Sequence, residues 1–296
     1  LVAHEKGFYA DNGLDVSLVQ VPNGPAMTSG LASGSLDFVN NSYDNLAVAV
    51  DQDLPVKAVV GNTTRVPFKL LVNENVPLPH GTDGYPAVIE DLVGLNWGVI
   101  ALGVSLQYLD EALLTSAGRT ADDATFIAVG LGDSARAALQ NGTVDTYLAT
   151  EPLPSIASAT GEASVAVDLV EGQGPPKLAN LDYNGWWATD KMIKSNADAV
   201  AGFVAANQEA YCWYSDPANL DELVSIIKQA VPVPALNDEQ YAAMVEASLP
   251  SFGVTIKDES LETWQSLLVD NGLLETARSR DELVADAAPT TYTCPE

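Results

Sequence analysis

Two stretches of the chain share one residue pattern at an interval of 108 residues. Residues 21–38, VPNGPAMTSGLASGSLDF, align without a gap on residues 129–146, VGLGDSARAALQNGTVDT. Five aligned positions have identical residues: Val21 and Val129, Gly24 and Gly132, Leu31 and Leu139, Gly34 and Gly142, and Asp37 and Asp145. Each copy is typical of a strand end, a glycine turn, an amphipathic helix ended by glycine, and a new strand. A long interval seen twice predicts two similar lobes rather than a solenoid.

The stretches around each copy alternate between strand and helix patterns. Residues 14–21 and 124–129 read as strands that follow a helix and a glycine, and nearly everything from residue 197 onward reads as helical. Further strands are predicted at residues 56–61, 68–73, 95–101, 146–150, 165–170 and 184–189. This alternation predicts an α/β fold with parallel sheets packed between helices. A length of 296 residues also favours two lobes.

Polar residues follow the strand that closes each copy of the repeat. The first copy continues into Asn41, Ser42, Tyr43 and Asp44, and the second into Thr150 and Glu151. Because the loops after the strands of such sheets share one edge, where ligands bind, we predict two halves of one ligand cleft. The alternative is helix capping by Ser42 or Asp44.

Three further segments supply candidate ligand contacts. Gly103, Ser105 and Gln107 begin a predicted helix whose amides suit an anion or a carbonyl oxygen, unless they only cap it. Asn62 and Thr63 follow a strand. Asn184 and Trp186 lie on YNGWWATD, where strand alternation sends Trp186 and Trp187 to opposite faces, so that Trp186 either stacks on a ligand or packs in a core.

Composition excludes several other classes of protein. Forty acidic against thirteen basic residues give a net charge of −27, which disfavours nucleic acid. No metal site, cofactor or catalytic group is expected, because only two histidines and two cysteines occur and no catalytic motif is present. GLGDSA at residues 130–135 fits a relaxed dinucleotide fingerprint. In the other copy of the repeat, however, the position that aligns with its first glycine, Gly130, is Pro22, so the two copies do not share the fingerprint. Cys212 and Cys294 would form a disulfide in an oxidising compartment, or remain unrelated thiols.

Residues 4–38, HEKGFYADNGLDVSLVQVPNGPAMTSGLASGSLDF, resemble the opening of the NMT1/THI5-like substrate-binding proteins of ABC importers for nitrate, sulfonates, taurine and thiamine pyrimidine precursors. The likeness continues through LPVKAVVG, EDLVGLNWGVIALGVS, LGDSARAALQNGTVDTYLATEP and NGWWAT. It implies a type II periplasmic-binding-protein fold, with one lobe at residues 1–78 and 191–296, the other at 79–190, and crossovers at FKLLVNENV and YNGWWATD. The family's first strand, which precedes the EKGF helix, is not in this sequence, so we expect a missing upstream segment.

The resemblance implies an extracytoplasmic solute-binding component, periplasmic or a cell-surface lipoprotein, that delivers a small solute to ABC permease subunits. We expect a monomer. Asp44 and Glu151 with few cations favour a ligand bearing an amine or a polar heterocycle, and a sulfonate held by helix amides stays open. The alternatives are an enzyme on the same scaffold and a ligand-sensing regulatory domain. The thiamine-pyrimidine synthases carry a cysteine-rich motif that this chain lacks.

Overall fold

The computed structural model describes residues 1–21 and 23–295 of the protein. The strands of this part are β1 (Val39–Ser42), β2 (Val56–Thr63), β3 (Lys69–Asn73), β4 (Asn96–Val99), β5 (Thr125–Ala128), β6 (Thr146–Ala149), β7 (Ala163–Asp168) and β8 (Asn184–Thr189). The first helices are α1 (Val2–Glu5), α2 (Phe8–Asp11), α3 (Gly24–Ser33), α4 (Tyr43–Asp51), α5 (Ser105–Ser116), α6 (Asp133–Gln140), α7 (Leu153–Thr160) and α8 (Pro176–Ala179). The later helices are α9 (Asp190–Ser195), α10 (Ala197–Ser215), α11 (Leu220–Ala230), α12 (Asp238–Ser248), α13 (Asp258–Asp270) and α14 (Arg280–Leu283).

The chain divides into two compact units. The first comprises Leu1–Thr64, Leu181–Val231 and the chain from Ser251 on, and the second comprises Arg65–Asn180 and Pro232–Pro250. Strand β3 lies in the second unit and β8 in the first, although the sequence identified both as crossovers. The predicted lobe limits, 1–78 with 191–296 and 79–190, stay a prediction.

The sheet of the first unit has the order β1-β8-β2. Strand β8 is antiparallel to both neighbours, so β1 and β2 run parallel to each other. Trp187 of β8 is fully buried, while Trp186 on the opposite face is half-buried. The alternation of the two tryptophans therefore follows the strand period.

The sheet of the second unit has the order β5-β4-β6-β3-β7. Strand β4 is parallel to β5 and β6, and β3 is antiparallel to β6 and β7. The α/β fold class is confirmed, but the prediction of parallel sheets is wrong where β8 and β3 enter. Each of these strands runs against its neighbours, which the alternation of helix and strand patterns along the chain does not reveal.

The strand predicted at residues 14–21 does not form in the described structure. Its counterpart in the repeat is β5, which pairs with β4 along its whole length. Residues 14–21 lie outside the sheet, since β1 pairs with β8 alone. A strand requires a hydrogen-bonded neighbour.

A disulfide joins Cys212 of α10 to Cys294, with 5.5 Å between the two Cα atoms. The two cysteines belong to the first unit and are 82 positions apart in the sequence, and the chain between them passes through Pro232–Pro250 of the second unit. Such a link restricts the unfolded chain more than the folded one. The disulfide therefore fixes the C-terminal tail to α10.

The double substitution Cys212→Ser with Cys294→Ser should lower the free energy of unfolding, by about 4 kcal/mol at most for a loop of this length. Urea unfolding monitored by circular dichroism measures the loss. Reductant should destabilise the wild type to a similar degree and leave the double variant unchanged. Equal stability of the oxidised wild type and the variant would contradict this role.

A carboxyl group lies in the interior of the second unit. Asp110 of α5 is fully buried, and neither of its carboxyl oxygens has a hydrogen-bond partner among the described residues. Desolvation, with a smaller contribution from the charge of Glu111, raises the pKa of Asp110 well above its ordinary value. The folded state therefore retains this proton at pH values where the unfolded chain has released it, and stability falls as the pH rises above about 4.

Asp110→Asn should remove this dependence. Relative to wild type, the variant should be more stable at pH 7.5 than at pH 4.5, so its free energy of unfolding minus that of wild type should be larger at pH 7.5. The reason is that only the wild type must keep a carboxyl group protonated there. Urea unfolding at both pH values measures it. Asp198→Asn, an exposed position, is the control and should show the same difference at both. A pH-independent difference for Asp110→Asn would refute the expectation.

Candidate functional site

A row of polar side chains crosses one end of the first sheet. Asn184 of β8 lies opposite Ser42 of β1 on one side and opposite Thr63 of β2 on the other. Ser42 and Thr63 are the last residues of two parallel strands. The row therefore occupies the carboxyl ends of those strands, where ligands bind in open α/β sheets.

The side chain of Asn184 is oriented by its neighbours on β2. Its Oδ1 atom accepts hydrogen bonds from the Thr63 hydroxyl and from Asn62 Nδ2, the latter at 3.2 Å. The Nδ2 group remains as the donor end of Asn184. The structure thus brings together Ser42, Asn62, Thr63 and Asn184, four of the residues predicted from sequence.

Asn41 joins the start of α3 to β1. Its Nδ2 donates to the Gly24 carbonyl at 3.1 Å, and its Oδ1 accepts from the Ser42 amide at 2.9 Å. A Cβ at Gly24 would lie 2.9 Å from Asn41 Oδ1, so a larger residue there would displace the Asn41 side chain from this position. Ser42 Oγ accepts from Asn45 Nδ2 at 2.8 Å and makes no capping bond to α4. Ligand contact by Asn41 and Ser42 stays a prediction.

The remaining predicted residues of the first unit have different surroundings. Tyr43 is buried with its ring against Gly185, and burial, followed by the charge of Asp182, raises the pKa of its hydroxyl well above the ordinary value, with Arg280 opposing. Asp44 is buried in the first turn of α4, where the helix dipole favours a carboxylate. Trp186 packs edge-on against Phe203 with ring centroids 5.2 Å apart. Trp186 therefore has a packing role within its own unit.

The parallel strands of the second unit also end at one edge. Strands β4, β5 and β6 lead into Gly103–Ser105, Gly132–Asp133 and Thr150–Glu151. Thr150 and Glu151 line a cavity of about 170 Å³ whose other walls include Ile100, Leu131 and Tyr147. This edge therefore combines a small apolar cavity with the beginnings of α5, α6 and α7.

The first turn of α5 is held in place by Gln107. Its Oε1 accepts from the Gly103 amide at 2.8 Å, and its Nε2 donates to Glu111 at 2.7 Å. Gly103 has a φ of +73°, in the left-handed region that favours glycine. Ser105 is buried as the first residue of the helix. Gln107 thus positions the loop, while Ser105 lies nearest the free amides of the helix start.

Glu151 is balanced by a lysine that the sequence reasoning missed. Lys69 Nζ lies 3.6 Å from Glu151 Oε1 and 3.0 Å from Asp168 Oδ2. Burial alone would lower the pKa of Lys69, but the hydrogen bonds and charges of Asp168 and Glu151 outweigh it and raise the pKa. Glu151 Oε2 also accepts from the Ser155 amide at 3.1 Å. The Glu151 carboxylate, which favoured an amine ligand in the sequence analysis, is therefore already paired within this unit.

The signal for Lys69 was a single cation inside an apolar strand, FKLLV. Such a residue needs a buried partner. Its partners lie 82 and 99 residues further along the chain, at Glu151 and Asp168, and only the antiparallel pairing of β3 with β6 and β7 brings them close. Sequence spacing alone could not identify them.

The chain belongs to the NMT1/THI5-like family, whose model matches residues 1–219. Over 94% of this chain and 84% of its relative, it is 26% identical to a Bacillus subtilis protein assigned as aliphatic sulfonates-binding. It is 27% identical, over 84% of this chain and 67% of the relative, to the riboflavin-binding protein of Chloroflexus aurantiacus.

The fold matches that of solved periplasmic binding proteins. The periplasmic aliphatic sulphonate binding protein of Escherichia coli superposes with a TM-score of 0.75 at 20% identity, over 100% of this chain and 90% of that one. These similar proteins are named for binding, not for catalysis. The expected periplasmic-binding-protein fold of ABC importers is confirmed.

Two kinds of feature are absent from the described residues. No three His, Cys, Asp or Glu side chains in residues 1–21 and 23–295 are grouped so that they could hold a metal ion. Within the same residues, none of the helices has the length and apolar character needed to cross a bilayer.

Lys69→Met should lower the free energy of unfolding at pH 7 by about 2 kcal/mol, because it leaves the partly buried carboxylates of Glu151 and Asp168 without a cation. Urea unfolding at pH 7 measures the loss. Lys177→Met, at an exposed position of the same unit, is the matched control and should change stability little. An equally small change for both variants would count against a stabilising role of the Lys69 ion pairs.

Proposed function

We propose that the protein is the solute-binding component of an ABC importer and that its ligand is a small organic anion of the sulfonate type. Family membership and the binding proteins it resembles support the transport role. In this proposal the polar row of the first unit and the strand edge of the second bind opposite sides of one solute. Closure around the solute would be a population shift driven by contacts made to both lobes.

The observation that carries the anionic ligand is the pairing of Glu151 with Lys69 and with the Ser155 amide. With that charge occupied, the second edge offers mainly the amides at the start of α5 and α6, which favour negative groups. In the first unit, Asn184 contributes an amide donor. The cavity beside Thr150 then suits the apolar part of the solute.

The importer itself is the second expected partner. We propose that the ligand-bound protein presents its solute to permease subunits outside the cytoplasm, as a secreted or lipid-anchored protein. A regulatory sensor would share the fold but have no permease to bind. Binding to the permease subunits of an ABC importer, enhanced by ligand, would separate the two.

The ligand test is thermal melting and isothermal titration calorimetry with 1-butanesulfonate and taurine, and with 1-butylamine as the cationic counterpart. Butanesulfonate should stabilise the fold by RT ln(1 + [L]/Kd), about 2.7 kcal/mol at a hundredfold excess over Kd. Mass spectrometry should recover it unchanged. Stabilisation by butylamine alone would overturn the anionic ligand, and conversion of the compound would overturn the binding role.

The contribution of the polar row can be measured with Asn184→Asp. A carboxylate there should repel an anion and weaken butanesulfonate binding by tenfold or more. Asn271→Asp carries the same change at an exposed position of the same unit and should leave the affinity unchanged. Equal affinity of both variants would remove the row from the site.

A further inference from the structure

The polar row lies beside the points where the chain leaves and re-enters the first unit. The unit runs up to Thr64 and resumes at Leu181, so Thr63 and Asn184 are each close to such a point in the sequence. Thr63 is the last residue of β2, and Asn184 is the first residue of β8. Strand ends open more readily than strand centres unless other contacts hold them. The side chains of the row therefore need support from outside the sheet.

Lys257 connects the end of β2 to the residues just before β8. Its Nζ group donates to the Thr64 carbonyl at 3.0 Å and lies 2.7 Å from Asp182 Oδ1. Its backbone amide donates to the other carboxyl oxygen, Asp182 Oδ2, at 2.7 Å. A single residue thus binds both carboxyl oxygens of Asp182 and the residue that follows Thr63. Lys257 therefore fixes the separation between these two chain ends.

Asp182 is also anchored to α13. Its amide donates to Ser260 Oγ, and its carbonyl accepts from Trp264 Nε1, both at 2.8 Å. All three residues are buried. Burial raises the pKa of the Asp182 carboxyl group, and the hydrogen bonds and charge of Lys257 oppose the rise. Lys257 therefore stabilises the ionised form of a carboxyl group that water does not reach.

The next residue, Tyr183, joins this anchor to the three strands of the row through its backbone. Its amide donates to the Thr63 carbonyl at 2.9 Å, and its carbonyl accepts from the Tyr43 amide at 3.1 Å. Tyr43 directly follows Ser42, and Asn184 directly follows Tyr183. A shift of the anchored aspartate would therefore displace the strand ends that carry the row.

We propose that Asp182 and Lys257 are positioning residues of the solute site, whose ion pair holds the polar row in the geometry that binds the solute. The inference rests on the proposed function in one respect, namely that the polar row contacts the solute. A row that is held in place before binding loses less conformational freedom on binding, so the pair contributes to affinity. Two apolar side chains could stabilise the fold as well as a buried ion pair does, but they could not bond to the Thr64 carbonyl.

The test compares three variants of the pair with wild type in isothermal titration calorimetry with 1-butanesulfonate. Asp182→Asn and Lys257→Met break the ion pair, while Lys257→Arg keeps a cation with several donors for the same two acceptors. Lys6→Met is the matched control, because Lys6 belongs to the same unit and pairs with Glu222 at 2.6 Å. All titrations are made at a temperature at which circular dichroism shows each variant to be fully folded.

Asp182→Asn and Lys257→Met should each weaken butanesulfonate binding about tenfold, Lys257→Arg should bind within about threefold of wild type, and Lys6→Met should bind as wild type does. The two disruptive variants together separate positioning from direct contact. If Lys257 itself bound the anion, Asp182→Asn would leave its charge in place and unopposed, so binding would stay as tight as in wild type or become tighter. That result, or wild-type affinity of Lys257→Met, would overturn the proposal.

Amide hydrogen exchange measured without ligand tests the positioning separately from the proposed function. The amides of Tyr43 and Tyr183, which donate the bonds described above, should exchange about tenfold faster in Lys257→Met. Residues 56–58, at the other end of β2, should keep their wild-type rates. Lys257→Met is suited to this measurement because the lysine side chain is 36% exposed, whereas that of Asp182 is fully buried. Unchanged exchange at both amides would contradict the positioning role. If wild type binds no butanesulfonate, the proposed anionic ligand is wrong, and the exchange rates alone decide whether the pair holds the row.

Discussion

The antiparallel entry of β8 between β1 and β2 is the pairing on which the first unit depends. Strand β8 forms the backbone hydrogen bonds of the sheet with both neighbours and places Asn184 between Ser42 and Thr63. The entry requires glycine at position 185, because a Cβ there would collide with the Tyr43 hydroxyl and lie 2.9 Å from the Val60 carbonyl. Trp187, two positions further on and therefore on the same face of β8 as Gly185, has a fully buried indole. A strand that returns late in the chain thus both closes the core and orients the polar row.

The second unit uses the same arrangement with an electrostatic consequence. Strand β3 enters between β6 and β7, and its first residue, Lys69, comes to lie beside Glu151 and Asp168. Two carboxylates and one ammonium leave a local charge of about −1 instead of the −2 that Glu151 and Asp168 would have alone. A single lysine therefore halves the negative charge at this edge of a strongly acidic chain.

Much of the fold could be predicted because the repeat is local. The helix of each copy and the strand that follows need only neighbouring residues to be recognised, and the helix predicted to begin at Gly103, Ser105 and Gln107 forms as α5, which begins at Ser105. Strand direction and charge pairing could not be predicted, since both arise from β3 and β8 meeting partners far away in sequence. Residues 14–21 show the same limit, because their pattern is that of a strand but a strand exists only with a neighbour. Asn41 and Gln107, expected to contact a ligand, also bond to their own loops, which residue type alone does not reveal.

The two edges of β1 have different neighbours. One edge pairs with β8 and sets the position of Ser42, while the other faces a groove of about 490 Å³ whose lining includes residues 14–19 and 35–40. A strand held on one side opens more readily than a strand held on both, because fewer hydrogen bonds must break. Ligand binding at the end of such a strand must restrict its motion, so part of the binding free energy is lost.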